Sequence, residues 1–323
     1  ITLDSDYTPI DNFSGKFIGK DEDNLIKITF NGTKNGLFKT IFASSDSSKK
    51  VEIKNIEFDG NIYPDASSVG SVAGKINYVG STCECYISNC VNNANIGNFE
   101  NGSVNYTDIG GFVGISNGMN KIFLSDLVNK GNIKGSENVG GIIGRNTGMP
   151  LNSGYIRNCA NIGDISGNDS AGISGEGVGE ISNSYNTGNI IGTKNVGGIR
   201  GYTNNANKSI IKNCFNAGNV SATTNPETAG GILGEITATA AGSTITNCYN
   251  IGTATENGYI MPLASKANCT VLNSYYSSET EIDDGIDNTQ WVSFEDLKSL
   301  STNLGGAYEN GNDDYIYPQL IGN

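Results

Sequence analysis

The amino-acid sequence predicts an all-β fold: a right-handed parallel β-helix, or β-solenoid, with short capping segments. The chain of 323 residues holds 44 glycines but only 6 prolines, and 37% of its residues are hydrophobic. Disordered low-complexity chains lack that much apolar content, so we expect a folded chain with many tight turns. A sequence motif that recurs eight times indicates a stack of similar coils.

The first repeated motif, named the Asn motif here, reads apolar-x-Asn-x-x-Asn-x-Gly-Asn-apolar. Its apolar residues are mostly β-branched and its segments are short, which favours strands over helices. Variable spacing between copies indicates loops of different length between fixed elements. The eight copies begin 25 to 37 residues apart, at Ile53, Ile87, Leu124, Ile156, Ile181, Ile211, Ile245 and Val271.

The second motif, named the Gly-Gly motif, reads apolar-Gly-Gly-apolar-apolar-Gly and alternates with the first. Its clearest copies are IGGFVG from Ile109, VGGIIG from Val139 and AGGILG from Ala229. Glycine permits positive φ or close backbone approach at a corner. One period cannot bury its own apolar residues, so we expect successive coils to stack at about 4.8 Å, the spacing of neighbouring strands.

Capping segments are expected at both ends, because an open solenoid end exposes sheet edges. We assign residues 1–50 to an N-terminal cap and first irregular coil. Residues 51–280 form the repeated body. Residues 281–323 form a C-terminal cap with a short helix around residues 294–300.

Asparagine columns are the first candidate feature of the stack. Asparagine tolerates the left-handed conformation and can hydrogen-bond along a stack, so the third position of the Asn motif predicts a structural ladder. The sixth position predicts a second ladder that satisfies buried amides. The first ladder comprises Asn55, Asn89, Asn158, Asn183, Asn213, Asn247 and Asn273, with Asp126 in the remaining copy.

An aromatic column occupies the fifth position of the last four copies: Tyr185, Phe215, Tyr249 and Tyr275. If the fourth position points inward, alternation sends the fifth outward. The column would then be an exposed stripe able to stack on sugar rings or a protein partner. The alternative is that the rings point inward or lie under the C-terminal tail.

Four of the seven cysteines, Cys90, Cys159, Cys214 and Cys248, fall at the fourth position, where other copies carry Ile56 or Leu127. Such a position is apolar and interior. Buried free thiols are expected, although disulfides between neighbouring coils stay open as an alternative. The segment CECYISNC lacks a second cluster for a four-thiolate site, so no metal is expected.

Composition excludes several classes of function. The chain contains no histidine, which removes Ser-His-Asp catalysis and histidine-ligated zinc. Its net charge of −13 disfavours nucleic acid and anionic membranes, and no apolar run is long enough for a membrane span. We expect no cofactor, no nucleic-acid partner, no direct membrane insertion and a monomer.

The alternating motifs, VGGIIG-type followed by IRNCANIGDI-type, resemble the GLUG repeats of bacterial exported and cell-surface proteins. The resemblance spans about residues 53–280. It implies a parallel β-helix in a large adhesin-like protein, located outside the cell or on its surface. Similar repeats occur in IgA1-type metalloproteases outside the catalytic domain, whose H-E-x-x-H zinc motif is impossible in a chain without histidine.

The function expected from these features is that of a non-catalytic repeat module, an adhesive rod or spacer that binds carbohydrate or a host protein. A recognition or spacer region of an IgA1-type metalloprotease is one alternative. A β-helix polysaccharide lyase or glycoside hydrolase is another, because carboxylates suffice for such chemistry. Its candidate acids, Asp59, Asp164, Asp169 and Glu176, occur singly at dissimilar registers, so we expect no carboxylate pair that recurs on one face.

Overall fold

The chain is a parallel β-helix in which each coil lies on the preceding one. The computed structural model describes residues 1–21, 24–43, 50–78, 84–100, 105–117, 121–149, 154–203, 208–225, 228–237, 242–253, 255–256, 259–260, 269–278, 289–311 and 318–321. Strands from successive coils pair in parallel, which confirms the predicted fold class.

Strands range from two to thirteen residues in length. The first thirteen are β1 Thr2–Asp4, β2 Lys16–Ile18, β3 Ile26–Thr33, β4 Phe38–Ala43, β5 Lys50–Ile62, β6 Ala73–Tyr78, β7 Glu84–Asn92, β8 Asn95–Ile96, β9 Thr107–Gly110, β10 Val113–Ser116, β11 Lys121–Asn129, β12 Ile133–Gly140 and β13 Ile143–Asn146.

The middle of the chain holds shorter strands in the same order. They are β14 Tyr155–Arg157, β15 Ala160–Asn161, β16 Ile165–Ala171, β17 Ser174–Gly177, β18 Gly179–Ser182, β19 Tyr185–Asn186, β20 Ile190–Gly192, β21 Val196–Gly197, β22 Arg200–Thr203, β23 Ser209–Lys212, β24 Phe215–Asn216, β25 Val220–Ala222, β26 Ala229–Gly230, β27 Leu233–Ile236, β28 Ser243–Thr246 and β29 Tyr249–Asn250.

The C-terminal part contains strands and two short helical segments. They are β30 Thr255–Glu256, β31 Tyr259–Ile260, β32 Cys269–Leu272, β33 Ser274–Tyr276, β34 Thr289–Trp291, the α-helix α1 Phe294–Leu297, a 3-10 helix Leu300–Thr302, β35 Tyr308–Glu309 and β36 Gln319–Leu320. The Ser293 side chain accepts the backbone N–H of Asp296 and so caps α1. This helix lies in the segment where the sequence predicts one.

Strand pairing follows coil order. One parallel sheet stacks seven strands from consecutive coils, in the order β27, β22, β17, β13, β10, β6 and β4. The Asn motifs also lie in register, since Leu124 pairs with Ile87 on one side and with Ile156 on the other. Each apolar residue of one coil therefore covers its equivalent in the next.

The interior is filled by two columns from the Asn motif. The apolar residues at its first position are fully buried. The fourth position also points inward, where every member is 0% exposed: Ile56, Cys90, Leu127, Cys159, Ser184, Cys214, Cys248 and Ser274. Where serine replaces cysteine or an aliphatic residue, its hydroxyl bonds to the backbone; Ser184 Oγ donates to Ser182 O at 2.8 Å.

The described cysteines are free thiols, five of them buried and Cys269 partly exposed. Burial in an apolar interior disfavours the thiolate. It raises the pKa of Cys90 and of Cys159 to about 12. Cys83 lies outside the described residues.

Asparagine side chains inside the coils hydrogen-bond to one another in a ladder. Asn129 Nδ2 donates to Gly131 O at 2.8 Å and to Asn161 Oδ1 at 2.7 Å. The same pair of bonds recurs from coil to coil, so both N–H groups of each such amide are hydrogen-bonded. This inner ladder comprises Asn92, Asn129, Asn161, Asn186, Asn216 and Asn250.

The Asn column at the third position lies at a corner on the outside. All eight residues have positive φ, between 45° and 62°, as the left-handed conformation of the turn requires. The side chains are linked in series; Asn89 Nδ2 donates to Asn55 Oδ1 at 2.9 Å, and Asn213 Nδ2 donates to Asn183 Oδ1 at 2.9 Å.

No helix among the described residues is long and apolar enough to cross a membrane.

Candidate functional site

The aromatic column is continuous but covered. The rings of Tyr185 and Phe215 are stacked 4.9 Å apart with a 2° interplanar angle, and those of Phe215 and Tyr249 lie 5.0 Å apart at 3°. Phe215, Tyr249 and Tyr275 are only 2%, 0% and 7% exposed, while Tyr185 is partly exposed. An exposed aromatic stripe is therefore the wrong interpretation for three of the four rings.

The C-terminal segment provides the cover, as in the alternative considered from the sequence. Tyr249 donates its hydroxyl to Pro318 O, and Tyr308 donates its hydroxyl to Asn247 O at 3.2 Å. Alternation does turn these rings away from the main core. They pack instead in a second hydrophobic core. That second core is completed by Leu297, Leu300, Leu304, Tyr308 and Leu320.

A polar column that the sequence analysis did not single out lies on another face. It is the ninth position of the Asn motif, occupied by Asn61, Asn95, Asn132, Asp164, Asn189, Asn219 and Thr253. Each side-chain oxygen bridges to the next coil; Asn132 Oδ1 accepts the backbone N–H of Asp164 at 2.9 Å, and Asp164 Oδ1 accepts that of Asn189 at 2.9 Å. The repeated Gly-Asn of the motif was the available signal.

This column lines a cleft of about 450 Å³ that runs over four coils. Its apolar surface includes Phe99 and Ile191, which are 46% and 52% exposed. A second cleft of about 350 Å³ continues beside it, lined by Ser136, Asn168 and Thr193 among others. We refer to the two clefts together as the groove.

The groove combines amide and hydroxyl groups with exposed apolar side chains. Asp164 is the one acidic residue that lines the 450 Å³ cleft among the described residues, and Lys134 lies at the edge of the neighbouring cleft. Ser166 and Ile191 line both clefts, which makes the surface continuous. Such a mixed, open surface fits a ligand with many hydroxyl groups and apolar C–H faces.

A charged cluster lies on the neighbouring sheet. Arg145, Glu176, Tyr202 and Glu235 follow one another in register on β13, β17, β22 and β27. Arg145 contacts Glu176 Oε2 at 3.6 Å through Nε and Asp108 Oδ1 at 3.7 Å through Nη1.

Asp169 stands at the edge of this cluster, in a corner column with Asp108, Asn138 and Asn195. Its Oδ1 accepts the side-chain amide of Asn195 at 2.6 Å. Burial raises the pKa of Asp169 to about 6, against the lowering effect of Asn195 and Lys194, while the charges of Glu137 and then Glu176 raise it further. Asp169 and Glu176 thus interact through their charges, whereas the residues in register with Glu176 in the adjacent coils are Arg145 and Tyr202, so the acids do not recur as a pair from coil to coil.

The other two candidate acids are separate from this pair. Asp59 contacts Lys27 Nζ at 3.0 Å in the first coils, and that contact lowers the pKa of Asp59. Asp164 lies in the groove. Among the described residues, no group of three or more Cys, Asp or Glu side chains is arranged to hold a metal ion.

No family model matches the chain. No curated protein sequence matches it either. Among solved structures, the chain is similar to a proposed immunoglobulin A1 protease from Bacteroides ovatus, with 16% sequence identity and a TM-score of 0.42, over 96% of this chain and 76% of that one. The resemblance to GLUG repeats thus rests on the motifs themselves.

One buried arginine, Arg200, is held by hydrogen bonds inside the fold. Arg200 is fully buried and donates to Val178 O at 3.3 Å, to Gly179 O at 3.2 Å and to the Ser209 hydroxyl. Burial lowers its pKa to about 9. Its side chain is 0% exposed, so it offers no group to a ligand on the surface.

Proposed function

We propose that this chain is a non-catalytic, carbohydrate-binding repeat module, a rod whose groove holds a glycan. The observation that carries the proposal is the column Asn132, Asp164, Asn189 and Asn219, which repeats one hydrogen-bonding group per coil beside the apolar surface of Phe99 and Ile191. Rigid stacking fixes the spacing of these groups, so little conformational entropy is lost on binding.

The same proposal places the protein outside the cell, either on the bacterial surface or in secreted form. The motifs that resemble GLUG repeats support it. The role of a recognition or spacer region within a larger protease is compatible with this proposal, because it uses the same rod and the same groove.

A glycan array tests the binding role. Wild-type protein is expected to bind at least one glycan, and Ile191→Glu is expected to abolish the signal because it places a charge in the groove. Ile191 is 52% exposed, so the variant keeps the core intact. Leu272→Glu is the matched control, since Leu272 is 46% exposed at another site; equal signals from the two variants would contradict the groove.

Hydrolysis is the second candidate function, favoured by one observation: the Asp169–Glu176 pair with its raised Asp169 pKa. A protonated Asp169 would donate its proton to the leaving oxygen while Glu176 accepts one from the attacking water. Incubation of bound glycans with wild-type protein, Asp169→Asn and Glu176→Gln tests this. Reducing ends released by wild type alone would establish it, and none from any of the three would exclude it.

A further inference from the structure

We propose that the ligand of the groove is an unbranched, uncharged chain of β-1,4-linked pyranoses that lies parallel to the helix axis with one sugar on each coil. This inference rests on the proposed carbohydrate binding and narrows its substrate class. It follows from the spacing, the chemistry and the charge of the groove.

Spacing is the first step. Neighbouring coils are joined as hydrogen-bonded parallel strands, for example β12 with β16 and β16 with β20, which sets a repeat of about 4.8 Å. A β-1,4-linked pyranose in its extended chain advances by a closely similar distance. Ligand and groove therefore stay in step over four coils, whereas an α-1,4-linked chain coils away from a straight row.

Hydrogen bonding is the second step. The Oδ1 atoms of Asn132 and Asn189 are held by the backbone N–H groups of Asp164 and Asn219, at 2.9 and 3.3 Å. Their side chains are thereby oriented before any ligand arrives. Among the described residues, the Nδ2 groups of Asn132 and Asn219 have no hydrogen-bond acceptor. These N–H groups can donate to sugar hydroxyl oxygens.

The apolar side chains are the third step. Ile191 lies at the middle of the groove and Phe99 lies along the same cleft. Nearly half of the Phe99 side chain is exposed, and its ring can pack against the C–H face of a pyranose. A flat equatorial sugar offers such a face at every unit, so one exposed side chain suffices to fix the orientation of the chain.

Charge decides between neutral and acidic glycans. Lys134 is the one basic residue among the described ones that line the groove, and it lies in the 350 Å³ cleft. The 450 Å³ cleft is lined by Asp164 and by no basic residue among the described ones, and the whole chain carries −13. A polyuronate or sulfated chain would meet repulsion from both. An uncharged glycan meets none.

A peptide ligand fits less well. Extended peptides bind by adding a strand to an exposed sheet edge, where backbone N–H and C=O groups are free. The groove is built on the faces of β12, β16, β20 and β25, and these strands are already paired to each other from coil to coil. Recognition there depends on side chains.

Isothermal titration with cellotetraose, mannotetraose, xylotetraose and maltotetraose tests the inference. We expect at least one of the three β-1,4-linked probes to bind, with affinity that rises from the disaccharide to the tetrasaccharide, and no heat from α-1,4-linked maltotetraose. Asn219→Ala, which removes one of the Nδ2 donors assigned to the ligand, should weaken binding at least tenfold. Asn61→Ala, at the same motif position but outside the cleft lining, should change it less than twofold, and thermal unfolding should show both variants folded.

The outcomes separate the two proposals. If the glycan array gives groove-dependent binding but none of the three β-1,4 probes binds, the ligand class is overturned and the carbohydrate role stands. If Asn61→Ala and Asn219→Ala weaken binding equally, the placement of the ligand along the groove is overturned. If neither array nor titration detects binding, both proposals fall.

Discussion

A Cβ atom on Gly141 would lie 2.4 Å from Oδ1 of Asn161 in the next coil. The Gly-Gly motif of one coil is thus packed against the inner asparagine of the Asn motif that follows it. Gly172 faces Asn186 in the same way, with a Cβ at 2.5 Å from Oδ1. The strict alternation of the two motifs therefore has one cause: glycine makes the room that the buried amide ladder occupies.

Gly141→Ala is expected to lower the free energy of unfolding by about 3 kcal/mol, the upper end of the usual cost of overpacking. The added methyl would also lie 2.2 Å from the backbone oxygen of Gly172, and backbone in a coil stack cannot move aside alone. Urea unfolding followed by circular dichroism measures the change. Gly15→Ala is the control, because its Cβ meets only Phe13 at 3.9 Å; an equal loss there would contradict the explanation.

Asn161→Ala is expected to cost about 3 kcal/mol or more, because three buried groups lose their partner at about 1 kcal/mol or more each. These are Gly163 O, Asn186 Oδ1 and Asn129 Nδ2, all bonded to the Asn161 side chain at 2.7–2.8 Å. Asn189→Ala removes only exposed hydrogen bonds, those of its side chain with Asp164 Oδ1 and with the backbone N–H of Asn219, and should cost under about 1 kcal/mol. Similar urea midpoints for the two variants would show that the ladder contributes nothing.

The sequence predicts the repeated part of this fold well, because every coil repeats the same local rule. Inward apolar residues, left-handed corners at Asn158 or Asn183 and interior cysteines all follow from motif position. The cover over Tyr249 was one of two alternatives left open by the sequence, because it depends on Pro318, 69 residues further on, and not on the motif. Likewise, Asp169 and Glu176 become neighbours only through the corner between β16 and β17, which no local pattern encodes.

Asp169→Asn is expected to stabilise the protein at pH 8 and not at pH 4. Burial raises the folded-state pKa of Asp169 from 3.8 to about 6, so its favourable contribution is complete below about pH 4 and is lost as the pH rises through 6. The gain of the variant at pH 8 should be about 3 kcal/mol, since the shift is about two pKa units and each unit corresponds to about 1.4 kcal/mol.

Asparagine suits this position, because residue 169 has φ 47° and an Asn oxygen can still accept the amide of Asn195. Urea unfolding at the two pH values gives the measurement. The reciprocal variant Asn138→Asp adds a carboxylate beside Asp108, whose Oδ1 now accepts from Asn138 at 2.8 Å, so it should lose stability above pH 6. A gain for Asp169→Asn that is the same at pH 4 and pH 8 would refute titration as the cause.

Removal of residues 281–323 is expected to convert a monodisperse protein into one that self-associates and binds a hydrophobic dye. The segment carries Leu297, Leu300, Leu304, Tyr308 and Leu320, which cover Phe215, Tyr249 and Tyr275. Without it, a stacked aromatic surface and the edge of β33 become exposed together, and both features promote association.

Light scattering and dye fluorescence measure this change, and Leu304→Ala provides a milder version of it. Leu304 is fully buried against the column, so its truncation should cost 2–5 kcal/mol in the full-length chain, the usual range for a buried leucine. If the truncated protein stays monodisperse and binds no more dye than wild type, residues 281–323 do not act as a cap. If Leu304→Ala alone raises dye binding, loosening of the cover is enough to expose the aromatic column.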